Sequence, residues 1–450
     1  MTQISTFFGL HQSLRGLLAH QRAMDVTGHN ITNANTDGYS RQEAVMAAAT
    51  PYDIEAGLLV DGGGAMLGGG VDIQAFRRVR DGFLDLQFRA QSLRLGEYSG
   101  TASAMSQVEE GLSEPGENGI AAQLDKFWSS WSSVANNPEN LATRQNLVEQ
   151  ARILSGAIKD LDARLTTITS QVNAEYASIT GANGDVRSMA DEIAKLNQAI
   201  KFAVADGDQP NDLLDARDLL LDKLSSLAQV SVTDLGNGAI RVNFGDAATP
   251  LVDDATVTWP QALTAPGGKL GALLQLTAPL TATPPGTIES YRADLNAFAK
   301  KLADDVNALH NPGGTGTNFF TYGAAGTEAS SLTVNVAATG VRYATSTATG
   351  ANDIAVAIAK LRGQGGDQQY QSLVARIGAD VRNTQRLESN AQVLAGAIDD
   401  RRQSVAGVSM DEEMSNLVRF QRGYQASARV MSTVDEMLDQ LINRTGRVGL

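Results

Sequence analysis

Near the end of the chain, apolar residues recur at alternating steps of three and four: Leu417, Phe420, Tyr424, Ser427, Met431, Val434, Leu438 and Leu441. Only Ser427 interrupts the apolar set, so the period is close to 3.5, that of a coiled-coil seam. The residues between, such as Asn416, Arg419, Gln421 and Gln425, are polar. Ser409, with Glu412 three residues on, predicts a capping box at the start of this helix. The first residues follow the same steps through Phe7, Leu10, Leu14, Leu17, Gln21, Met24, Gly28 and Ile31. A helix cannot bury such a stripe by itself, and each buried Leu or Phe contributes roughly 1.5–3 kcal/mol. Two arrangements fit the pattern. Either the terminal stripes pair with each other and then with other molecules, or both are core helices of one globule.

Between the termini the periodicity changes several times. A helix is expected over 4–28, followed by the polar segment Thr27–Gln42, rich in Asn and Thr and holding the turn pair Asp37-Gly38. Short strands with Gly-rich turns follow from 43 to 79, and Val71–Phe76 alternates as a half-buried strand does. Residues 80–112 read as a helix with Phe83, Leu86, Ala90, Leu93 and Tyr98 on one face. Further helices are expected after Gly119 (Leu124, Phe127, Trp128, Trp131), over 141–181, 184–204 and 213–227. Val230–Phe244 reads as a hairpin about a Gly-Asn-Gly turn. Residues 245–285 and 311–350 read as strands and turns, with a helix over 287–309 between them, and helices resume from about 352 to the end.

The fold class is therefore mainly α with an inserted β-rich domain. The terminal helices are expected to pair as a coiled coil, on an elongated helical-bundle domain that carries an outer β domain. The expected divisions are 1–38 with 405–450 as the terminal unit and 39–228 with 364–404 as a mostly helical unit with a small β-hairpin region. Residues 229–363 form the outer β-containing unit.

Composition narrows the function. The 450 residues carry a net charge of −14 and no basic stripe, which disfavours nucleic acid, whose phosphates need clustered Lys and Arg. With no cysteine, disulfides and thiolate chemistry are excluded. No apolar run approaches the roughly 20 residues of a membrane span. The start lacks the basic and apolar regions of a cleaved signal peptide. Aromatics make up 5 % of the chain, lean for an enzyme pocket.

The candidate chemistry is thin. Of the four histidines, His11 and His20 fall on opposite helix faces at about 100° per residue, so they form no metal pair. The Asp206-x-Asp208 loop lacks the central Gly of a calcium loop and reads as a helix lead-in. The glycines at 62–64 and 68–70 read as turns and not as a dinucleotide fingerprint. Glu109-Glu110 and Glu412-Glu413 are adjacent on helices and diverge, which makes them poor acid/base dyads, and Glu413 is expected on a solvated or subunit-facing surface. No catalytic residue, cofactor or metal site is expected.

Several blocks then carry a resemblance. Asn30-Ile-Thr-Asn-Ala-Asn-Thr-Asp-Gly-Tyr-Ser-Arg-Gln42 is similar to the N-terminal signature of flagellar rod, hook and hook-associated proteins, and Gly69–Leu84 to the segment that follows it. Pro210–Asp218, Gly267–Leu274, Val306-Asn-Ala-Leu-His-Asn-Pro-Gly313 with Phe319-Phe320, and Gly407–Gln421 resemble the hook-associated protein 1 family of the bacterial flagellum. The blocks stand in that family's order.

The resemblance implies a non-enzymatic structural subunit at the junction of hook and filament, needed for filament assembly. The terminal helices would line an axial channel, with Phe7, Leu10, Leu14, Leu17, Met24, Ile31, Leu417, Phe420, Tyr424, Met431, Val434, Leu438 and Leu441 as the assembly interface. Asn30, Asn33, Asn35, Gly38 and Tyr39 would shape the joint after the first helix; a plain surface loop is the alternative. Implied partners are copies of the chain in a ring, the hook protein, hook-associated protein 3, and an export chaperone on the C-terminal helix. The implied location is the extracellular flagellum, reached by type III export without signal cleavage. The stretch between Phe320 and the helix near 367 is short for the family, which implies a reduced outer domain. Rival readings are another axial protein (hook, rod or filament subunit) and an enzyme or binding module in the β region.

Overall fold

The computed structural model describes residues 7–54 and 65–443. The glycines at 62–64 lie outside the described residues. Helix α1 (Phe8–Thr32) leads into β1 (Gln42–Ala48), β2 (Tyr52–Ile54), β3 (Ala65–Leu67) and β4 (Val71–Arg78). Next come α2 (Gly82–Leu112), α3 (Ile120–Asn136), α4 (Leu141–Thr180), α5 (Asp185–Asp206) and α6 (Asn211–Leu227). Strands β5 (Val230–Asp234), β6 (Ile240–Phe244), β7 (Val252–Asp253) and β8 (Thr256–Val257) form one antiparallel sheet in that order. Helices α7 (Gly268–Thr277) and α8 (Thr287–His310) follow, then β9 (Phe320–Thr321), α9 (Glu328–Ser331), β10 (Thr333–Val334) and α10 (Asp353–Ala359). The chain closes with α11 (Gly366–Ala406) and α12 (Met410–Asn443). The protein is mostly helical with a few small sheets.

One hydrophobic core runs from α2 to α11. Its centre is aromatic: Phe127 and Trp131 of α3 meet Phe319, with ring centroids 6.1 and 5.3 Å away. Trp128 keeps its indole N–H satisfied by donating to Asp367 at 2.9 Å, as a buried donor must. The paired aromatics of 319–320 therefore tie the irregular segment 311–350 to the helices. That segment contains only the short β9–β10 pair, less strand than its Thr- and Gly-rich composition predicts.

Four further expectations are corrected. Helix α1 continues to Thr32 because Asn33 caps it, its backbone N–H and its side-chain amide both donating to His29 O at 3.1 Å. Helix α7 occupies a stretch read as strands and turns; its Leu270, Leu273 and Leu276 are buried, and Lys269 and Ala272 lie against Gly100 of α2. On α2 the start of the apolar stripe does not face the core, since Phe83 and Leu86 are both 66 % exposed, while Leu93 further along lies against Gly267 and Gly268. The packed face carries Leu84, Gln91, Gly96 and Gly100 instead, because missing side chains let neighbouring backbones approach closely. Ser409 Oγ accepts from Glu412 N at 3.5 Å as expected, but the Glu412 carboxylate does not close the box, accepting instead from Arg41 at 2.6 Å, and Glu413 is buried rather than solvated.

Candidate functional site

Two adjoining features bring the chemistry-bearing blocks of the sequence together: the pair of terminal helices, and an ionic cluster that fastens the joint behind them.

Helices α1 and α12 pack side by side. Position 9 lies against Val434, position 16 against Ser427, and His20 against Gly423, so the helices run antiparallel. From α12 the contact uses Phe420, Ser427 and Val434 of its apolar stripe. From α1 it includes Gly9, Gly16 and His20, which on average lie roughly 80–140° around the helix from Leu17, Leu10 and Leu14 at 100° per residue. Bare glycines bring the axes close, which a leucine at the same place would prevent. Of the α1 stripe, Phe7 and Leu14 are exposed, while Leu10, Leu17, Met24 and Ile31 are half-buried. On α12, Leu417, Phe420, Tyr424, Met431, Val434 and Leu438 are half-buried; the side chain of Leu441 lies outside the described residues. The 3.5-residue stripe of α1 was legible in the sequence, but its pairing face was not.

The polar segment after α1 is an ordered joint. Asn30, buried at the helix end, donates to Gln42 O and accepts from Gln42 N, both at 2.9 Å. Tyr39 donates to the Asn30 side chain at 2.8 Å, and His29 Nδ1 lies 3.0 Å from the same phenol. Asn33 caps α1 and accepts from Thr36 at 3.2 Å. Gly38 has φ +77° with the Leu219 side chain directly above it, a conformation and a clearance that both favour glycine. Asn35 is exposed and lines a cleft shared with Arg80, Phe88, Asp222, Arg402 and Gly407. Burial, followed by the carboxylates of Asp212, Asp215 and Glu413, pushes the Tyr39 phenol well above its ordinary range.

Beside this joint lies the ionic cluster. Ser40 donates its backbone N–H and its hydroxyl to Asp215 at 2.9 and 2.8 Å. Arg78 reaches Asp215 and Asp218 at 2.8 and 2.9 Å. Arg80 bridges Asp85 and Asp218, both at 2.9 Å. Arg89 contacts Asp222 at 2.7 Å, and Arg402 of α11 reaches the same carboxylate at 2.5 Å while stacking 4.1 Å over Phe88. Four guanidinium groups thus meet the carboxylates of Asp85, Asp215, Asp218 and Asp222, and Arg402 also reaches the partly exposed Asp399 at 3.3 Å.

Burial works against the Asp218 charge, but Arg80, Arg78 and Arg89 outweigh it and hold the carboxyl below its ordinary value. Such a network contributes geometry more than net stability, because desolvation offsets much of the Coulomb gain. It joins the polar segment, β4, α2, α6 and α11 at one point. Sequence reasoning missed it, although the signals were there. Arg78 and Arg80 alternate on one face of an extended segment, and Asp215, Asp218 and Asp222 are spaced three and four apart on one helix face.

Among the described residues no group of three or more His, Cys, Asp or Glu side chains could hold a metal ion. This geometry can hold two helices at a set angle to a helical body.

Comparison with known proteins agrees in kind. Residues 105–266 match the family model described as flagellar hook-associated protein FlgK helical domain. Residues 11–39 match the model described as flagella basal body rod protein, and 402–444 that described as flagellar basal body rod FlgEFG protein C-terminal. The chain is 29 % identical to flagellar hook-associated protein 1 of Bacillus subtilis, the alignment covering 98 % of this chain and 99 % of that one. It is 24 % identical to the protein of the same description from Salmonella typhimurium, over 96 % and 99 %. The solved flagellar hook junction protein FlgK from Burkholderia pseudomallei aligns with a TM-score of 0.45 and 26 % identity, over 53 % of this chain and 47 % of that one.

Proposed function

We propose that this chain, which belongs to the flagellar hook-associated protein 1 family, adapts hook to filament by presenting its paired terminal helices at a fixed angle to its helical body. It is a structural protein of the bacterial flagellum, at the hook–filament junction. The observation that carries the mechanism is the pairing of α1 with α12 through glycines, which leaves apolar positions such as Leu14 and Leu18 unburied.

In this reading α1 and α12 form an antiparallel coiled coil that lines an axial channel. Copies of the chain stack as a ring through the remaining apolar positions, with hook protein below and hook-associated protein 3 above. Residues 1–38 with 405–450 form the inner unit, 39–228 with 364–404 the helical body, and 229–363 a reduced outward unit that carries the small β sheet. The chain travels by type III export without signal cleavage. An export chaperone covers the apolar face of α12 beforehand, since that face costs solubility while it lacks its assembly partners. The function is geometric and involves no catalytic step.

The test is electron microscopy of cells that lack the gene, with flagellin measured in the medium. Bare hooks and released flagellin are expected. Missing hooks would move the protein to the rod or hook, and normal motile filaments would overturn the reading.

A further inference from the structure

The chain holds three Asn-Gly dipeptides, at 118–119, 183–184 and 237–238. After an asparagine, the next backbone nitrogen can attack the side-chain amide and close a five-membered ring. A glycine there has no side chain to block the approach. All three asparagines are exposed. The three turns differ in how the attacking nitrogen is engaged.

At two of them it is occupied. Gly119 N donates to Gly116 O at 3.1 Å, and Gly184 N to Gly181 O at 3.0 Å. The nitrogen must lose its proton before it attacks, and a hydrogen bond made by the protonated form opposes that loss. Gly119 also has the Glu114 carboxylate directly over its Cα, where a second negative charge is disfavoured.

The third lies in the turn between β5 and β6. Among the described residues no protein group accepts from Gly238 N. Asn237 Oδ1 accepts from Ala239 N at 3.0 Å. Reaching the N–H two residues on draws the amide carbon over the Gly238 peptide, whose nitrogen must meet it. The same bond puts a donor on the oxygen that gains charge as the ring closes, as oxyanion-stabilising donors do.

We propose that Asn237 deamidates spontaneously in the folded chain, ahead of Asn118 and Asn183, by attack of Gly238 N on its side-chain amide. Gly238 N gives its proton to solvent base and bonds to Asn237 Cγ. The Cγ–Nδ2 bond breaks, and that nitrogen takes a proton and leaves as ammonia. Water then opens the succinimide. Attack at the side-chain carbonyl gives aspartate, and attack at the main-chain carbonyl gives isoaspartate, whose backbone runs through the side-chain carbons.

The isoaspartyl product changes the fold locally. Gly238 O accepts from Arg217 of α6 at 2.8 Å, and the same guanidinium nitrogen donates to Asn197 of α5 at 3.0 Å. Ile200 and Val204 of α5 crowd the Cα of Gly238, at 3.1 and 3.0 Å from where a Cβ would stand. A main chain lengthened by one carbon at 237 has no room to shift toward α5. Arg217, buried on α6, then loses an acceptor, and the hairpin loosens from both helices.

The test incubates the purified full chain, folded, at pH 7, 8 and 9 and follows the three peptides by mass spectrometry, with isoaspartate detected by isoaspartyl methyltransferase labelling. An ordinary hydrogen bond to be broken first slows attack by roughly tenfold, so conversion at 237 is expected about tenfold ahead of 118 and 183. It should rise about tenfold per pH unit, as the deprotonated fraction does, and yield both products. In the urea-unfolded chain the three rates should converge. Asn237→Gln, which would have to close a six-membered ring, should lose the fast conversion and leave the other two unchanged. Comparable or faster conversion at 118 or 183 in the folded chain overturns the proposal, as does aspartate at 237 without isoaspartate. Isoaspartyl chains should exchange amides faster over 230–244, and unchanged exchange there overturns the loosening.

Discussion

The imidazole of His20 rests on the bare Cα of Gly423: a Cβ at position 423 would come within 2.6 Å of the ring. Gly423→Ala brings roughly 1 kcal/mol of helix propensity, whereas overpacking a close contact costs about 1–3 kcal/mol. The contact is expected to win. The variant should loosen the α1/α12 pair, seen as earlier thermal loss of helical signal and faster amide exchange in both helices. Adding His20→Ala should restore the pair. If Gly423→Ala alone exchanges as slowly as the parent, the close approach is not what joins the helices.

Asp218 faces three guanidinium groups, so Asp218→Asn leaves an excess of buried positive charge. Breaking a buried network in this way costs about 3–5 kcal/mol. Urea unfolding of the variant should show a loss of that order. The Asp218 carboxyl is held below its ordinary value. Its contribution is therefore present above about pH 4 and disappears only as the pH falls through the lower, folded value.

The Arg41–Glu412 pair is as short, at 2.6 Å, yet the Glu412 side chain is 64 % exposed. Exposed pairs contribute about 0–1 kcal/mol. Glu412→Ala should accordingly shift the urea midpoint little. A loss as large as that of Asp218→Asn would show that this joint is drier than its exposure indicates.

His310 is buried, and Arg342 N donates to its Nε2 at 2.9 Å, so Nδ1 carries the proton and faces Thr317 O at 3.2 Å. Burial lowers its pKa from 6.5 to about 4. The unfolded chain takes up a proton below pH 6.5 while the folded chain resists until about 4. Stability is thus complete above 6.5 and falls through that window by about 3 kcal/mol. Unfolding free energies measured at pH 7.5, 5.5 and 4 for the parent and for His310→Gln should differ in slope over that window. Parallel slopes would show that this imidazole does not set the acid limb.

Leu417 and Leu438 lie half-buried on α12, away from the core of the helical body. Leu417→Asp and Leu438→Asp should each abolish incorporation at the hook tip, since a carboxylate in an apolar seam costs several kcal/mol. Circular dichroism and thermal unfolding of the body should be unchanged. Normal incorporation of both variants would sink the seam argument.

Taken alone, the order and period of the residues determined the long helices, the Val230–Phe244 hairpin, the aromatic cluster of α3 and the 3.5-residue stripes at both termini, but not α7. Each is a local property: a repeat of apolar positions, or a glycine at a turn, depends on neighbours within a few residues. Tertiary structure alone decided which face of a helix is used. On α1 the sequence places Leu10, Leu14 and Leu17 along one stripe, yet Gly9, Gly16 and His20 beside it meet α12, and on α2 Phe83 and Leu86 stay exposed while Gly96 and Gly100 are buried with Leu84, Met105 and Val108. Close backbone approach depends on what is missing from a residue, and a search for apolar periodicity does not register it. The same holds for the ionic cluster. Arg78, Arg80, Arg89 and Arg402 stand far from Asp215, Asp218 and Asp222 in the chain, and only the packing of β4, α2, α6 and α11 shows that they pair.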